Sequence, residues 1–430
     1  MHIRIRNGRV IDPANAVDAQ LDVFVADGKI VAVGKEMNGF QADEEINADG
    51  HWVIPGLVDL AARMREPGLE HKATIASETR AAAASGITTL CCPPDTLPII
   101  DTPAVAELIQ KRAEQAGFAN LHPIAALTKG LQGENLSEMA SLKNAGCVAV
   151  YNTIPLANTQ IQRLAMEYAA THNLIVFISP VDPWLSNNGC VHEGRVSTRL
   201  GLPGIPTAAE TAAVARDLAL VEQVGVHTHF TRISTARAAR MIARAQYDGL
   251  PVTADVCAHQ FHLTEMDICE YDSNCHVIPP FRTQRDLEGL REAISQNVIQ
   301  AICSDHQPHE PDAKLAPFGS TLPGISALET LLPLSLRLID EENLPVSETI
   351  RRITSGPANI LNTGAGTLGT GRQADICIMD PEKIWQLSSA DMVSHGHNTP
   401  FANWEFKGKA VVTLFKGRVV YRHNQNTLNG

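Results

Sequence analysis

The chain has 430 residues, 44% of them hydrophobic and 19% charged, with a formal net charge of −12. That is enough apolar side chain for one large core or two smaller ones, and the absence of a long basic run argues against a nucleic-acid partner. No stretch reaches the roughly 18 apolar residues of a membrane span.

The opening residues alternate like a strand and lack the apolar core of a signal peptide. Short strands are predicted over 3–6, 9–11, 22–25 and 30–33, with Asn7-Gly8 and Asp27-Gly28 as hairpin turns. An apolar run follows at 53–58. Further strands are predicted over 87–91, 148–150, 174–178, 225–229, 251–256 and 299–303, with amphipathic helices over 104–116 and 159–171 among the connections. Strands buried on both faces and separated by helices pair in parallel, so about eight such units predict an α/β fold with a (β/α)8 TIM-like barrel over 53–365. An open doubly wound sheet is the alternative, but no Gly-x-Gly-x-x-Gly follows a strand. Strands return at 374–379 and 410–421. Segments 1–52 and 366–430 are therefore expected to form one small β-sandwich from the N- and C-terminal segments. Nine cysteines, an odd number without a CxxC pair, are scattered through apolar surroundings such as those of Cys147 and Cys303. Reduced, buried thiols and a cytoplasmic location are expected.

One decapeptide concentrates the chemical information: Asp59-Leu60-Ala61-Ala62-Arg63-Met64-Arg65-Glu66-Pro67-Gly68, directly after the 53–58 run. Other distinctive stretches are Pro123-Ile124-Ala125-Ala126-Leu127-Thr128-Lys129-Gly130-Leu131, Pro279-Pro280-x-Arg282 and Ser304-Asp305-His306-x-Pro308-His309. Pro323-Gly324-Ile325, Leu328-Glu329-Thr330 and Asn398-Thr399-Pro400-Phe401 follow. In this order they resemble the bacterial dihydroorotase branch of the amidohydrolase superfamily, over nearly the whole chain. The resemblance implies an amidohydrolase-type barrel whose site lies at the C-terminal mouth.

Family members carry Asp-x-His-x-His in the first motif, two histidines that grip a metal from one face of a strand. Here those positions are Ala61 and Arg63. A methyl group has no lone pair, and a guanidinium offers only donors and repels a divalent cation. The family's bridging carboxylate corresponds to Asn152, and the next histidine ligands correspond to Ser179 and Arg232. Asp305, a ligand and proton carrier in the family, is retained. One carboxylate cannot hold a catalytic zinc that needs three or more protein ligands, so neither a metal nor a working catalytic residue is expected. Among substrate contacts Arg65 and His309 are kept. The family's carboxylate-binding Asn has become Asp95, which would repel that carboxylate, and another Asn has become Ile278. Arg65, Asp305 and His309 read as remnants, or as members of a structural hydrogen-bond network.

A rebuilt metal site drawn from His227, His229, His259, His262, His306 and His309 is weighed against packed or hydrogen-bonded histidines. The second reading is preferred, because by motif His229 falls three residues before the lost position at Arg232. No Gly-x-Ser-x-Gly elbow is present, and Cys91-Cys92 lacks an evident neighbouring cation, so packing is preferred to thiol catalysis. Arg63 and Arg232 are expected to pair with Asp305, and Asp95 is a further candidate partner, because an unpaired buried carboxylate would be costly. The alternative turns both arginines to water. The resemblance implies a pseudoenzyme: an inactive dihydroorotase homologue serving as a structural subunit for the aspartate transcarbamoylase catalytic chain in pyrimidine biosynthesis, as a homodimer, with no cofactor and no nucleic-acid or membrane partner. The alternative is an active dihydroorotase or related cyclic amidohydrolase with a rebuilt zinc site, in which metal-bound hydroxide attacks the ring carbonyl. A scaffold of the dihydropyrimidinase-related kind fits the 65–68 and 304–306 stretches less well.

Overall fold

Eight short parallel stretches form a closed ring in the computed structural model, which describes residues 1–423, the side chain of residue 269 excepted. In order they are Leu57–Asp59, Ile87–Cys92, Asn120–Pro123 continued by Ala125–Ala126, Ala149–Tyr151, Ile175–Ile178, Thr228–Phe230, Val252–Cys257 and Ala301–Cys303. A parallel bridge between Ala62 and His306 closes the ring, with Arg63 N–H donating to the His306 carbonyl at 2.9 Å and His306 N–H to that of Ala61 at 3.1 Å. This closure decides for a barrel over the open sheet.

Side-chain alternation explains why these strands are apolar throughout. Val58, Ala61, Cys91, Tyr151, Phe177, Cys257 and Cys303 fill the barrel interior, while Leu90, Val150, Val176, Phe230 and Ile302 belong to the larger core under the helices. The predicted helix at 159–171 is the observed Thr159–Thr171, capped by the Asn158 side chain accepting from Gln160 and Ile161 N–H. That at 104–116 begins one residue earlier, as Pro103–Ala116, because proline is tolerated in a first turn where its missing N–H is not needed.

The terminal segments form one eight-stranded sheet in the order Arg418–Arg422, Glu405–Phe415, Ile376–Gln386, Trp52–Pro55, His2–Asp12, Val17–Ala26, Lys29–Gly34, with Glu44–Asn47 also on His2–Asp12. The sheet curls until Ile30 exchanges hydrogen bonds with Gly371 (2.7 Å) and Arg372 (2.9 Å), enclosing Ile3, Ile5, Val23, Val25, Ile376, Val412 and Leu414. The sandwich is therefore one sheet folded on itself. The junction at 52/53 falls inside Trp52–Pro55, a strand of this sheet, and residues 424–430 of the expected terminal segment lie outside the described residues.

Asp27-Gly28 forms the expected hairpin turn, with φ of 50° and 77°. Asn7-Gly8 does not. It is a bulge within the single strand His2–Asp12, with a register shift between Ile5 and Gly8. A Cβ on Gly8 would lie 2.4 Å from Val53 Cγ2, so glycine serves close strand packing there rather than a turn. Among the described residues no helix is long and apolar enough to cross a membrane.

Candidate functional site

Four polar side chains carried by segments that follow barrel strands meet at the barrel mouth. Arg63 follows the first strand, Asp95 the second, Arg232 the strand Thr228–Phe230, and Asp305 the last. Arg63 Nε donates to Asp95 Oδ2 at 2.7 Å and its Nη1 to Asp305 Oδ1 at 3.0 Å. Arg232 Nη1 lies 3.1 and 3.2 Å from the two Asp305 oxygens, and its Nη2 donates to the Tyr151 hydroxyl at 2.7 Å. Gln307 Nε2 completes the shell of Asp305 at 3.0 Å. Side-chain exposure is 9% for Arg63, 8% for Arg232 and 3% for Asp305. Both arginines thus point inward onto the carboxylate.

Electrostatics and backbone agree with that geometry. Burial lowers the Arg63 pKa, but the Asp95 and Asp305 charges outweigh it and leave the group above its ordinary value. Arg232 is likewise raised, burial being overcome by Asp305. Burial raises Asp95, yet the charge and hydrogen bond of Arg63 bring it below the usual carboxylate range. Arg65, Arg232 and Asp305 all sit in the left-handed region, at φ of 62°, 58° and 48°. Such conformations cost of order 1–3 kcal/mol each and need support from their surroundings. For Arg232 the support is explicit: its N–H donates to Asp255 Oδ1 at 2.6 Å, and Glu210 accepts from the N–H groups of Ser234 (3.1 Å) and Thr235 (2.9 Å).

Arg65 and His309 stand beside this cluster. Arg65 Nε donates to the Pro308 carbonyl at 3.0 Å, and its Nη2 is 3.1 Å from His309 Nε2. Lys72 Nζ is 3.2 Å from His309 Nδ1 and also 3.2 Å from Glu310 Oε2. Burial and the Arg65 charge push His309 down to about 3, so the ring is neutral. Burial and Arg63 bring Arg65 down to about 10.

The remaining predicted positions are not in contact with Asp305. Ala61 is buried in the barrel interior. Asn152 turns to its own loop, accepting from Thr128 Oγ1 at 2.8 Å and donating to the Ile154 carbonyl at 2.7 Å. With Ser179 it lines a cavity of about 30 Å³. Histidines disperse into separate partnerships: His229 with Asp255 at 2.9 Å, His306 with Glu78 at 2.8 Å, His262 with the Leu334 carbonyl at 2.8 Å, and His259 edge-on to Phe281. His227 is exposed. Cys91 and Cys92 are buried, and burial raises both thiols, Cys92 to about 12. Sequence reasoning missed Tyr151, Gln307, Asp255 and Glu210 as supports of the cluster. Only Tyr151, adjacent to Asn152, and Gln307, inside the stretch Ser304-Asp305-His306-x-Pro308-His309, lay next to positions the sequence had singled out.

A barrel with its polar cluster at the C-terminal mouth and a sheet built from both termini defines the amidohydrolase architecture. L-hydantoinase (dihydropyrimidinase) from Arthrobacter aurescens shares this fold with a TM-score of 0.89 over 98% of this chain and 96% of its own, at 20% identity. Dihydropyrimidinase from Brevibacillus agri does so at 0.85, over 100% and 96%, at 19% identity. Residues 50–238 match the dihydro-orotase-like family and residues 201–421 the amidohydrolase family. A dihydroorotase-like protein of Pseudomonas putida is 48% identical over 98% of this chain and 99% of its own length. One from Pseudomonas aeruginosa is 47% identical over 98% and 100%, and a dihydroorotase of Syntrophotalea carbinolica 44% identical over 98% and 99%. The chain belongs to the dihydroorotase-like amidohydrolase family.

Proposed function

We propose that this chain is a non-catalytic member of its family that serves as a structural subunit for aspartate transcarbamoylase. The reading is carried by one observation, the two guanidinium groups bonded to Asp305. A metal centre of the amidohydrolase kind needs lone pairs where Ala61, Arg63 and Arg232 stand, and a methyl and two protonated guanidiniums offer none. Asp305, the one ligand position of the family that is retained, is bonded to both arginines. The residues present do not fit a catalytic zinc, and Arg65, Asp95 and His309 form hydrogen bonds and ion pairs within the protein itself. The partner and the homodimer come from the resemblance alone.

A second reading, an active dihydroorotase, is favoured by relatives that bear that name, such as the dihydroorotase of Syntrophotalea carbinolica. Three measurements separate the two: ring opening of dihydroorotate by the purified chain, its zinc content, and the mass of its mixture with the transcarbamoylase catalytic chain. We expect no turnover, sub-stoichiometric metal and a complex heavier than either component. Turnover with about one zinc per chain, lost in Asp305→Ala, would establish the enzyme instead, and a mixture that stays separate at micromolar concentration would remove the partner.

A further inference from the structure

We propose that the cavity between the barrel and the terminal sheet binds a free amino acid or a closely related small zwitterion. The cavity measures about 470 Å³, within the range of small-molecule sites. Its wall includes Glu329, Lys409, Trp385, Tyr421, His423 and Ser85, contributed by the barrel helices and by three strands of the sheet. The mouth cluster around Asp305 shares none of these residues.

Glu329 and Lys409 face this space without forming an ion pair with each other, and the exposed Asp391 adds a second carboxylate to its wall. Glu329 opens the helix Leu328–Glu342, and its Oε1 accepts from the N–H groups of Val393 at 2.9 Å and Ser394 at 3.1 Å. Its Oε2 has no hydrogen-bond or salt-bridge partner among the described residues. Lys409 lies on the strand Glu405–Phe415 with Nζ 4.3 Å from the centroid of the Trp385 ring and likewise has no carboxylate partner there. Burial of Glu329 holds its carboxyl up at about 7, the Val393 and Ser394 N–H groups and the Lys409 charge offsetting only part of it.

A ligand with one charge would satisfy one of these groups and meet repulsion from the other. An ammonium directed at Glu329 Oε2 and a carboxylate at Lys409 Nζ, carried on one molecule, satisfies both. The Tyr421 hydroxyl and His423 Nδ1, 3.3 Å apart, add polar contacts at the rim.

Isothermal titration of the full-length chain with glycine, β-alanine, γ-aminobutyrate and L-aspartate, against acetate and ethylamine, tests the site. The expected result is that at least one zwitterion binds with a Kd of about 1 mM or tighter and at least about tenfold better than either single-charge control. Glu329→Gln, which keeps the acceptor for Val393 and Ser394, and Lys409→Met, at a part-exposed position, should each weaken it about tenfold or more. The proposal is overturned if no zwitterion binds, if the single-charge ions bind as well, or if Lys409→Met, whose fold does not depend on Glu329, binds like the parent protein.

Discussion

Removing Asp305 is the most direct perturbation of the mouth cluster. Its carboxylate receives Arg63 at 3.0 Å, Arg232 at 3.1 and 3.2 Å and Gln307 at 3.0 Å. Asp305→Ala leaves two guanidiniums, each less than a tenth exposed, facing one cavity with Asp95 as the remaining carboxylate. Breaking a buried pair from one side typically costs about 3–5 kcal/mol, because an uncompensated charge stays behind. Replacing Arg63, Arg232 and Asp305 by Met, Met and Leu should recover part of that loss, since apolar groups of similar volume are often neutral substitutes for a buried ion cluster and Asp95, which loses Arg63, has a side chain 28% exposed to water. Urea unfolding of the three proteins, with EDTA and with added zinc, reads both effects. Asp305→Ala within about 1 kcal/mol of the parent chain would refute the argument. So would a parent chain that loses stability in EDTA while the triple variant does not.

Two buried groups should tilt the pH dependence in opposite directions. Burial depresses His276 to about 4, so below about 6.5 the unfolded chain takes up a proton that the folded one refuses. Stability is then lost as pH falls from about 6.5 towards 4, and His276→Gln should flatten that slope by up to about 1.4 kcal/mol per pH unit. Burial raises Asp59 to about 7, so the folded state holds a proton that the unfolded state releases near 4. Its contribution is present at low pH and lost as pH rises through 7, and Asp59→Asn should remove this opposite slope, both being read from urea midpoints across pH 4–8. Glu210→Ala strips the acceptor from the Ser234 and Thr235 N–H groups and should cost about 1–3 kcal/mol; an unchanged urea midpoint would deny Glu210 its role in seating Arg232. Eight of the nine cysteines are described, and all eight are buried. A thiol reagent should therefore label no more than one cysteine quickly in the native chain, and faster labelling of several would contradict the packing.

Alternation of apolar strands with amphipathic helices was enough to predict parallel strands under helices, because strands buried on both faces cannot be solvated and must be covered; closure into a barrel was decided by the bridge between Ala62 and His306. That the side chains of Ala61, Arg63 and Arg232 offer no lone pair to a cation was equally legible, since donor chemistry is a property of residue type. The curl of the terminal sheet was not, nor the bulge at Asn7-Gly8, where a dipeptide that favours turns is overridden by the partner strand Val17–Ala26 and by close packing of Gly8 against Val53.

Sequence by itself determined which side chains can donate, accept or carry charge after each strand, and hence that Arg63 and Arg232 were candidates to pair with Asp305. Only the tertiary structure decided which of them meet: Asp95 with Arg63, Tyr151 with Arg232, and Asn152 turned away to its own loop. The physical reason is that a hydrogen bond tolerates only a few tenths of an ångström of misplacement between residues as far apart in sequence as Arg63 and Asp305, and barrel closure, rather than any local pattern, sets their separation.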